Sequence, residues 1–246
     1  MFYFETWNFD GALNMAIDVS MGLYSLEVGE PFLRFYSWKT PTLSLGKNQD
    51  VQIVNFKYIN ERGFDCVRRP TGGRAVFHSH EITYSITIPR THPLYKKSVL
   101  NLYKEISQII VEGLRNCGYP VALTTRGSRG NSASCFDSPS WYEVTLMGKK
   151  VIGSAQLRKK EYILQHGSII LKTSTEIKNC VLNVPDNIIQ TGLFDFKKVN
   201  INTIKENIIN AFTKKFDIKK IKIPEKLLIS AVEERMRYNC LLGNCT

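Results

Sequence analysis

The chain has 246 residues, 43% of them apolar, enough for one large domain with a substantial core and too many for a disordered chain. No apolar run approaches the roughly 18 residues of a membrane span, and Met1-Phe2-Tyr3-Phe4-Glu5 lacks the basic-then-apolar order of a signal peptide, so a cytoplasmic protein with no membrane partner is expected. The formal charge of +11 suits an acidic partner or a merely solvated surface; its lysines fall in scattered pairs such as Lys96-Lys97 and Lys159-Lys160 with no nucleic-acid motif around them, so no nucleic-acid partner is expected, and an acidic protein would be steered equally well by such a field.

Asp10 precedes apolar residues at helical spacing (Leu13, Ala16, Ile17), which predicts a capped helix over about 10–27. Short β-like runs follow at 33–36, 42–45 and 65–69, and Glu81 to Ile88 alternates apolar and polar side chains up to Pro89, the clearest strand in the chain. From Ser98, the stripe Val99, Leu102, Tyr103, Ile106, Ile110 and Leu114 predicts a helix that Gly118 and Pro120 stop. Strands are expected at about 141–147, 150–157 and 161–171, the first two joined by a tight turn at Gly148-Lys149. Two helices around 204–212 and 227–232 close the chain, and only the lysine-rich 214–222 stretch has the composition of a boundary. An antiparallel meander with helices inserted is an α+β pattern.

Two segments carry chemistry. Ser134-Cys135-Phe136-Asp137-Ser138-Pro139-Ser140 sets a cysteine among small and polar residues, a loop-like surround unlike the core in which free cysteines usually lie. Lys150 follows fifteen positions later and opens the strand Lys150 to Gln156. Thiolate is the nucleophilic form of cysteine, and a nearby ammonium group favours it, so the pair suggests thioester chemistry. Strict alternation would send Lys150, Ile152, Ser154 and Gln156 to one face as a pocket wall, and Val151, Gly153 and Ala155 to the other.

The second segment is Arg68-Arg69-Pro70-Thr71-Gly72-Gly73-Arg74, running on to His78. Paired glycines leave backbone N–H groups open to a ligand and the arginines surround them with charge, although a Gly-Gly pair also occurs in plain hairpin turns. His78 and His80 share a strand face but lack a third ligand, so no metal is expected there. His166, beside Gly167, reads equally as a structural or a pocket-lining histidine. The six cysteines (66, 117, 135, 180, 240 and 245) show no disulfide-framework spacing, which agrees with a reducing compartment, and Cys240 and Cys245 read as part of a frayed tail.

These blocks, with Gly148 to Gln156 and Leu164-Gln165-His166-Gly167-Ser168-Ile169, resemble in order those of the biotin/lipoate protein ligase superfamily, and within it the cysteine-dependent octanoyltransferases. The resemblance runs from the first helix to about residue 172. It implies a mixed, largely antiparallel sheet with packed helices, in a single acyltransferase catalytic domain over 1–246 that includes a C-terminal helical subregion at 200–246. It also implies that Cys135 carries an acyl thioester and that Lys150 lowers its pKa. Arg69, Thr71, Gly72, Gly73, Arg74, His78, Gly153, Ser154, Ala155, Gln156, His166 and Gly167 would bind substrate. The donor would be octanoyl-acyl carrier protein, a strongly acidic protein, and the acceptor a lipoyl-domain protein such as the glycine-cleavage H protein, with no cofactor. The nearest relatives of that activity are ATP-dependent lipoate ligases, which tend to carry another glycine where Arg74 stands, and the amidotransferases that move octanoyl between lipoyl domains. A noncatalytic binding module on the same fold is the reading from a different class.

Overall fold

The side chain of Asp10 accepts the amide hydrogen of Leu13 and starts the first helix, and Gly29, with φ 77°, ends it by donating its N–H to the Ser25 carbonyl. In the computed structural model, which describes residues 1–124, 143–182 and 189–241, this helix is α1 (Gly11–Val28) and it follows a strand, β1 (Phe2–Phe9). Then come β2 (Phe32–Trp38), β3 (Thr42–Leu45), α2 (Phe56–Glu61), β4 (Asp65–Arg68), β5 (Val76–His78) and β6 (Glu81–Pro89). The middle of the chain holds α3 (Val99–Asn116), capped by Ser98, then β7 (Val121–Leu123), β8 (Val144–Leu146), β9 (Lys149–Arg158) and β10 (Tyr162–Ile170). Short helices α4 (Ile177–Cys180) and α5 (Leu193–Phe196) precede α6 (Ile201–Thr213), β11 (Lys219–Lys220) and α7 (Glu225–Glu234).

The strands form two sheets. The larger runs in the order β11-β1-β2-β6-β10-β9-β8-β7; β1 pairs in parallel with β11 and β2, and all other pairs are antiparallel. The parallel β1–β2 pair requires a crossover, and α1 provides it. The smaller sheet, β4-β3-β5, comes from the segment between β2 and β6. The fold is therefore α+β with a largely antiparallel sheet, as the sequence pattern indicated. The lysine-rich stretch is not a break in the sheet, because Lys219 and Lys220 pair with Phe2 and Tyr3 at its edge.

Each face of the large sheet has its own cover. On one side the stripe of α3 packs with α6 against Ile82, Tyr84, Ile86 and Val151, giving the largest cluster of buried apolar side chains; each fully buried Leu or Ile contributes about 1.5–3 kcal/mol. The helices approach so closely at Gly113 that a β-carbon there would lie 2.5 Å from the Ile208 Cα. On the other side, Ala16, Ile17 and Met21 of α1 pack with Leu227 and Ala231 of α7 over Phe4 and Phe32. The three-stranded sheet continues this second cover, and a cavity of about 260 Å³ lies between it and the large sheet.

The hairpin between β8 and β9 differs from the expected turn. Its positive φ angles fall on Met147 (50°) and Gly148 (80°), so Lys149 already belongs to β9. Cys240 is disulfide-bonded, a pairing that cysteine spacing did not suggest.

Candidate active site

The cavity between the sheets brings the glycine-rich turn against the strand that Lys150 opens. Arg69 and the stretch Gly73 to His78 line it from the small sheet, and Lys150, Gly153, Ala155, His166 and Ser168 from the large one. Met15, Tyr36, Trp38, Phe77, Ile170 and Ile177 make much of the remaining wall apolar.

Lys150 reaches this wall by a route that alternation does not anticipate. Thr145 pairs with Lys150, but its neighbour Val144 pairs with Ile152, so Val151 is an extra residue, a β-bulge. Val151 and Ile152 consequently both enter the core beneath α3, and the strand's parity reverses. Lys150 thus shares its face with Gly153, where a β-carbon would stand 3.5 Å from the lysine Cε. The expected wall of Lys150, Ile152, Ser154 and Gln156 is replaced by Lys150, Gly153 and Ala155. Although Ser154 borders the cavity, its hydroxyl bonds the Tyr84 hydroxyl at 2.8 Å; the Gln156 amide donates to Gln165 Oε1 at 3.0 Å, and Gln156 does not line the cavity. Lys150 Nζ donates to Glu143 Oε1 at 2.8 Å, both side chains about one-fifth exposed, and the Lys150 backbone is held by Ile189 and Thr191. Cys135 lies outside the described residues.

Among the described residues, the free thiols are Cys66, Cys117 and Cys180, all buried. Burial pushes Cys66 and Cys180 up to about 12 and raises Cys117 as well, so each is a protonated, inert thiol at neutral pH.

The glycine-rich turn is held from inside. The Arg69 guanidinium, 6% exposed, donates from Nη2 to the Gly72 and Arg74 carbonyls at 2.9 and 2.7 Å and from Nη1 to the Ser44 carbonyl at 3.1 Å. It braces the turn through its backbone as well as bordering the cavity. Gly73 takes φ 94°, a conformation that favours glycine, and its carbonyl packs against Gly46. Gly72 is exposed and Thr71 fully buried, and neither lines the cavity.

Two acid–imidazole–hydroxyl chains cross between the layers. In one, Glu81 Oε1 meets His78 Nδ1 at 2.8 Å and His78 Nε2 meets Ser44 Oγ at 2.7 Å, with the ring stacked on Trp38 at 4.1 Å. In the other, Asp18 Oδ2 meets His166 Nδ1 at 2.9 Å and His166 Nε2 meets Thr71 Oγ1 at 2.6 Å. Both imidazoles line the cavity, and both have their ring nitrogens taken up within the protein. Burial pushes the Asp18 carboxyl up, but hydrogen bonding to His166, the charge of Arg34 and a bond from Ser85 outweigh it and hold Asp18 below the ordinary carboxylate range. Burial acts the same way on Glu81, and the charge and hydrogen bond of His78 with bonds from Thr83 and Ser168 reverse it. Arg34, fully buried, completes the second chain with a 2.8 Å ion pair to Asp18. Sequence reading missed Asp18, Arg34 and Glu81 as members of the site; a helix carboxylate and a strand arginine at helical and strand positions that face the core were the available signals.

Residues 10–219 match the lipoyl protein ligase A/B catalytic domain family. A curated relative from Moorella thermoacetica, the octanoyltransferase LipM, is 38% identical over 87% of this chain and 88% of its own length. The LipM of Carboxydothermus hydrogenoformans is 46% identical over 70% of this chain and 67% of its own. Among solved structures, that of lipoate-protein ligase A bound with ATP superposes with a TM-score of 0.79 at 22% identity, covering 96% of this chain and 94% of that one, a likeness of fold.

Proposed function

The chain belongs to the lipoyl protein ligase A/B catalytic-domain family, and from this we propose that it is an octanoyltransferase acting through a cysteine thioester. The observation that carries the reading is its similarity, at 38% and 46% identity, to relatives named for that activity. A largely apolar cavity with an ammonium group in its wall suits an acyl chain joined to a reactive carbonyl.

Cys135 and Lys150 are assigned the catalytic roles. Thiolate attacks the thioester carbonyl of octanoyl-acyl carrier protein, backbone N–H groups stabilise the oxyanion, and collapse forms the Cys135 thioester while the carrier thiol leaves with a proton. A lysine amine of the acceptor, a lipoyl-domain protein such as the glycine-cleavage H protein, then attacks this second thioester; the amide forms and the Cys135 thiol is released. Lys150 favours the thiolate and exchanges protons with the leaving thiol and the incoming amine. Each thioester resembles the last in energy and the amide step is downhill, so the cycle uses no nucleotide. Among the described residues the free thiols are buried and protonated, which makes each of them a poor nucleophile and supports the assignment to Cys135.

Residues 1–246 are taken as one catalytic domain whose helical subregion, 200–246, belongs to it: Lys205 of α6 pairs with Glu5 of β1 at 2.7 Å, and α7 packs on α1. Among the described residues, no helix is long and apolar enough to cross a membrane; a cytoplasmic enzyme is the accompanying proposal.

Incubating the protein with octanoyl-carrier and no ATP should add about 126 Da, the mass of an octanoyl group held covalently, and Cys135→Ala should abolish the adduct. A wild type that never gains this mass without ATP defeats the reading, and loading of free octanoate or lipoate only with ATP would make the protein a ligase instead.

A further inference from the structure

The Asp18–His166–Thr71 chain joins three parts of the fold that are distant in sequence: α1, the strand β10 in the cavity wall, and the glycine-rich turn. We propose that Asp18 is a positioning residue, which fixes the tautomer of His166 so that the ring accepts the Thr71 hydroxyl and holds the Gly72–Gly73 turn at a set place across the cavity. Its kinetic consequence rests on the octanoyl-transfer reading.

The tautomer follows from the partners of the carboxylate. Oδ1 of Asp18 accepts from Arg34 Nη1 at 2.8 Å and from Ser85 Oγ at 2.7 Å, while Oδ2 accepts from the Tyr36 hydroxyl at 3.1 Å and faces His166 Nδ1. An ionised carboxylate has no hydrogen to donate, so Nδ1 carries one; in the neutral ring Nε2 then offers a lone pair, and Thr71 becomes the donor of the 2.6 Å bond.

The turn is thereby tied to both layers. Arg69 fastens the Gly72 and Arg74 carbonyls to Ser44 in the small sheet, and the Thr71 carbonyl accepts the Lys47 amide; Thr71 Oγ1 fastens the same turn to the large sheet through His166. Because Gly73 and Arg74 line the cavity, slackening the strut moves backbone that faces the acyl group. Displacements of about 1 Å around a reacting centre cost up to about a hundredfold in rate.

Thr71→Val keeps the shape and removes the donor, and Thr71→Ser restores the donor. Thr71→Val should lower kcat about tenfold with KM for the octanoyl-carrier nearly unchanged, the pattern of an interaction that matters in the transition state, and Thr71→Ser should recover to within about threefold of wild type. In Asp18→Asn, Arg34 and Ser85 retain the amide oxygen, so the NH2 group faces His166 and forces the opposite tautomer; ¹⁵N-labelled histidine spectra should show Nδ1–H in the wild type and Nε2–H in the variant. The proposal is overturned by a wild-type spectrum with Nε2 protonated and Nδ1 bare, by Thr71→Val as fast as wild type, or by Thr71→Ser as slow as Thr71→Val. If Asp18→Asn does not fold, the wild-type spectrum and the Thr71 pair still decide. An active wild type with an indifferent Thr71→Val sinks this role alone, whereas a wild type that moves no octanoyl group sinks the functional reading with it.

Discussion

A β-carbon placed on Gly46 would stand 1.8 Å from the carbonyl oxygen of Gly73. That is far inside contact distance, and the obstacle is backbone, which cannot rotate away as a side-chain tip can. Gly46 therefore sets how deeply the glycine-rich turn seats against the end of β3. Gly46→Ala should displace the turn, cost about 1–3 kcal/mol of stability by overpacking, and lower transfer by more than about tenfold. Denaturant unfolding and steady-state kinetics on the same preparation check both halves.

Lys150 and Glu143 form a partly exposed ion pair, a class that contributes about 0–1 kcal/mol to stability. Lys150→Met should consequently leave the melting temperature close to wild type while reducing acyl transfer by about a hundredfold or more, the scale of a lost proton-transfer group. Glu143→Gln retains a hydrogen-bond acceptor for the ammonium and should cost less than about tenfold. Equal losses from the two substitutions would show that the pair acts only as a structural tie.

Ala155 projects into the cavity beside His166, with which it pairs across β9 and β10. Replacing its methyl by the isobutyl group of leucine fills space that an acyl chain would otherwise take. Ala155→Leu should shift preference from octanoyl toward shorter donors, read as the ratio of kcat/KM for hexanoyl- and octanoyl-carrier. An unchanged ratio would place the chain elsewhere.

Glu5 links β1 to α6. Burial pushes its carboxyl up, and hydrogen bonds from Lys205, Tyr3 and Trp7 more than reverse this, lowering it from 4.5 to about 2. A depressed carboxylate stabilises the fold fully above its unfolded value and loses that contribution as pH falls through the folded one. Stability should therefore decline between about pH 4.5 and 2, and Glu5→Gln should be less stable at neutral pH with a shallower decline across that window. Urea midpoints measured over pH 2.5–7 check the slope.

Much of the architecture was legible because the patterns were local. Asp10, Ser98 and the stripe of α3 announce their helices, and Glu81 to Ile88 reads as a strand at once. β1 escapes because only Met1 to Glu5 enters the sequence reading, and only as a possible leader, although the strand lies in the interior of the sheet between β11 and β2. The division into two sheets is set by contacts across the chain, with no signature inside any one strand. The turn and Lys150 were legible as chemistry, but the partners that hold them were not: Asp18 looks like any polar residue of a helix until Arg34 and His166 are brought to it. Arg69 reads as a ligand-binding charge from its neighbours, and the fold shows it braced against its own backbone carbonyls.

The unpaired residue at Val151 has a practical bearing on how variants of this strand are compared. Counting two by two from the lysine misassigns every later side chain, whereas a chain one residue shorter at this point would lose the bulge and alternate regularly from Lys150, with Ile152 still in the core and Gly153 and Ala155 still toward the cavity. Chains of either length between Lys150 and Gly153 would thus present the same chamber to substrate, and are matched by counting from the glycine backwards.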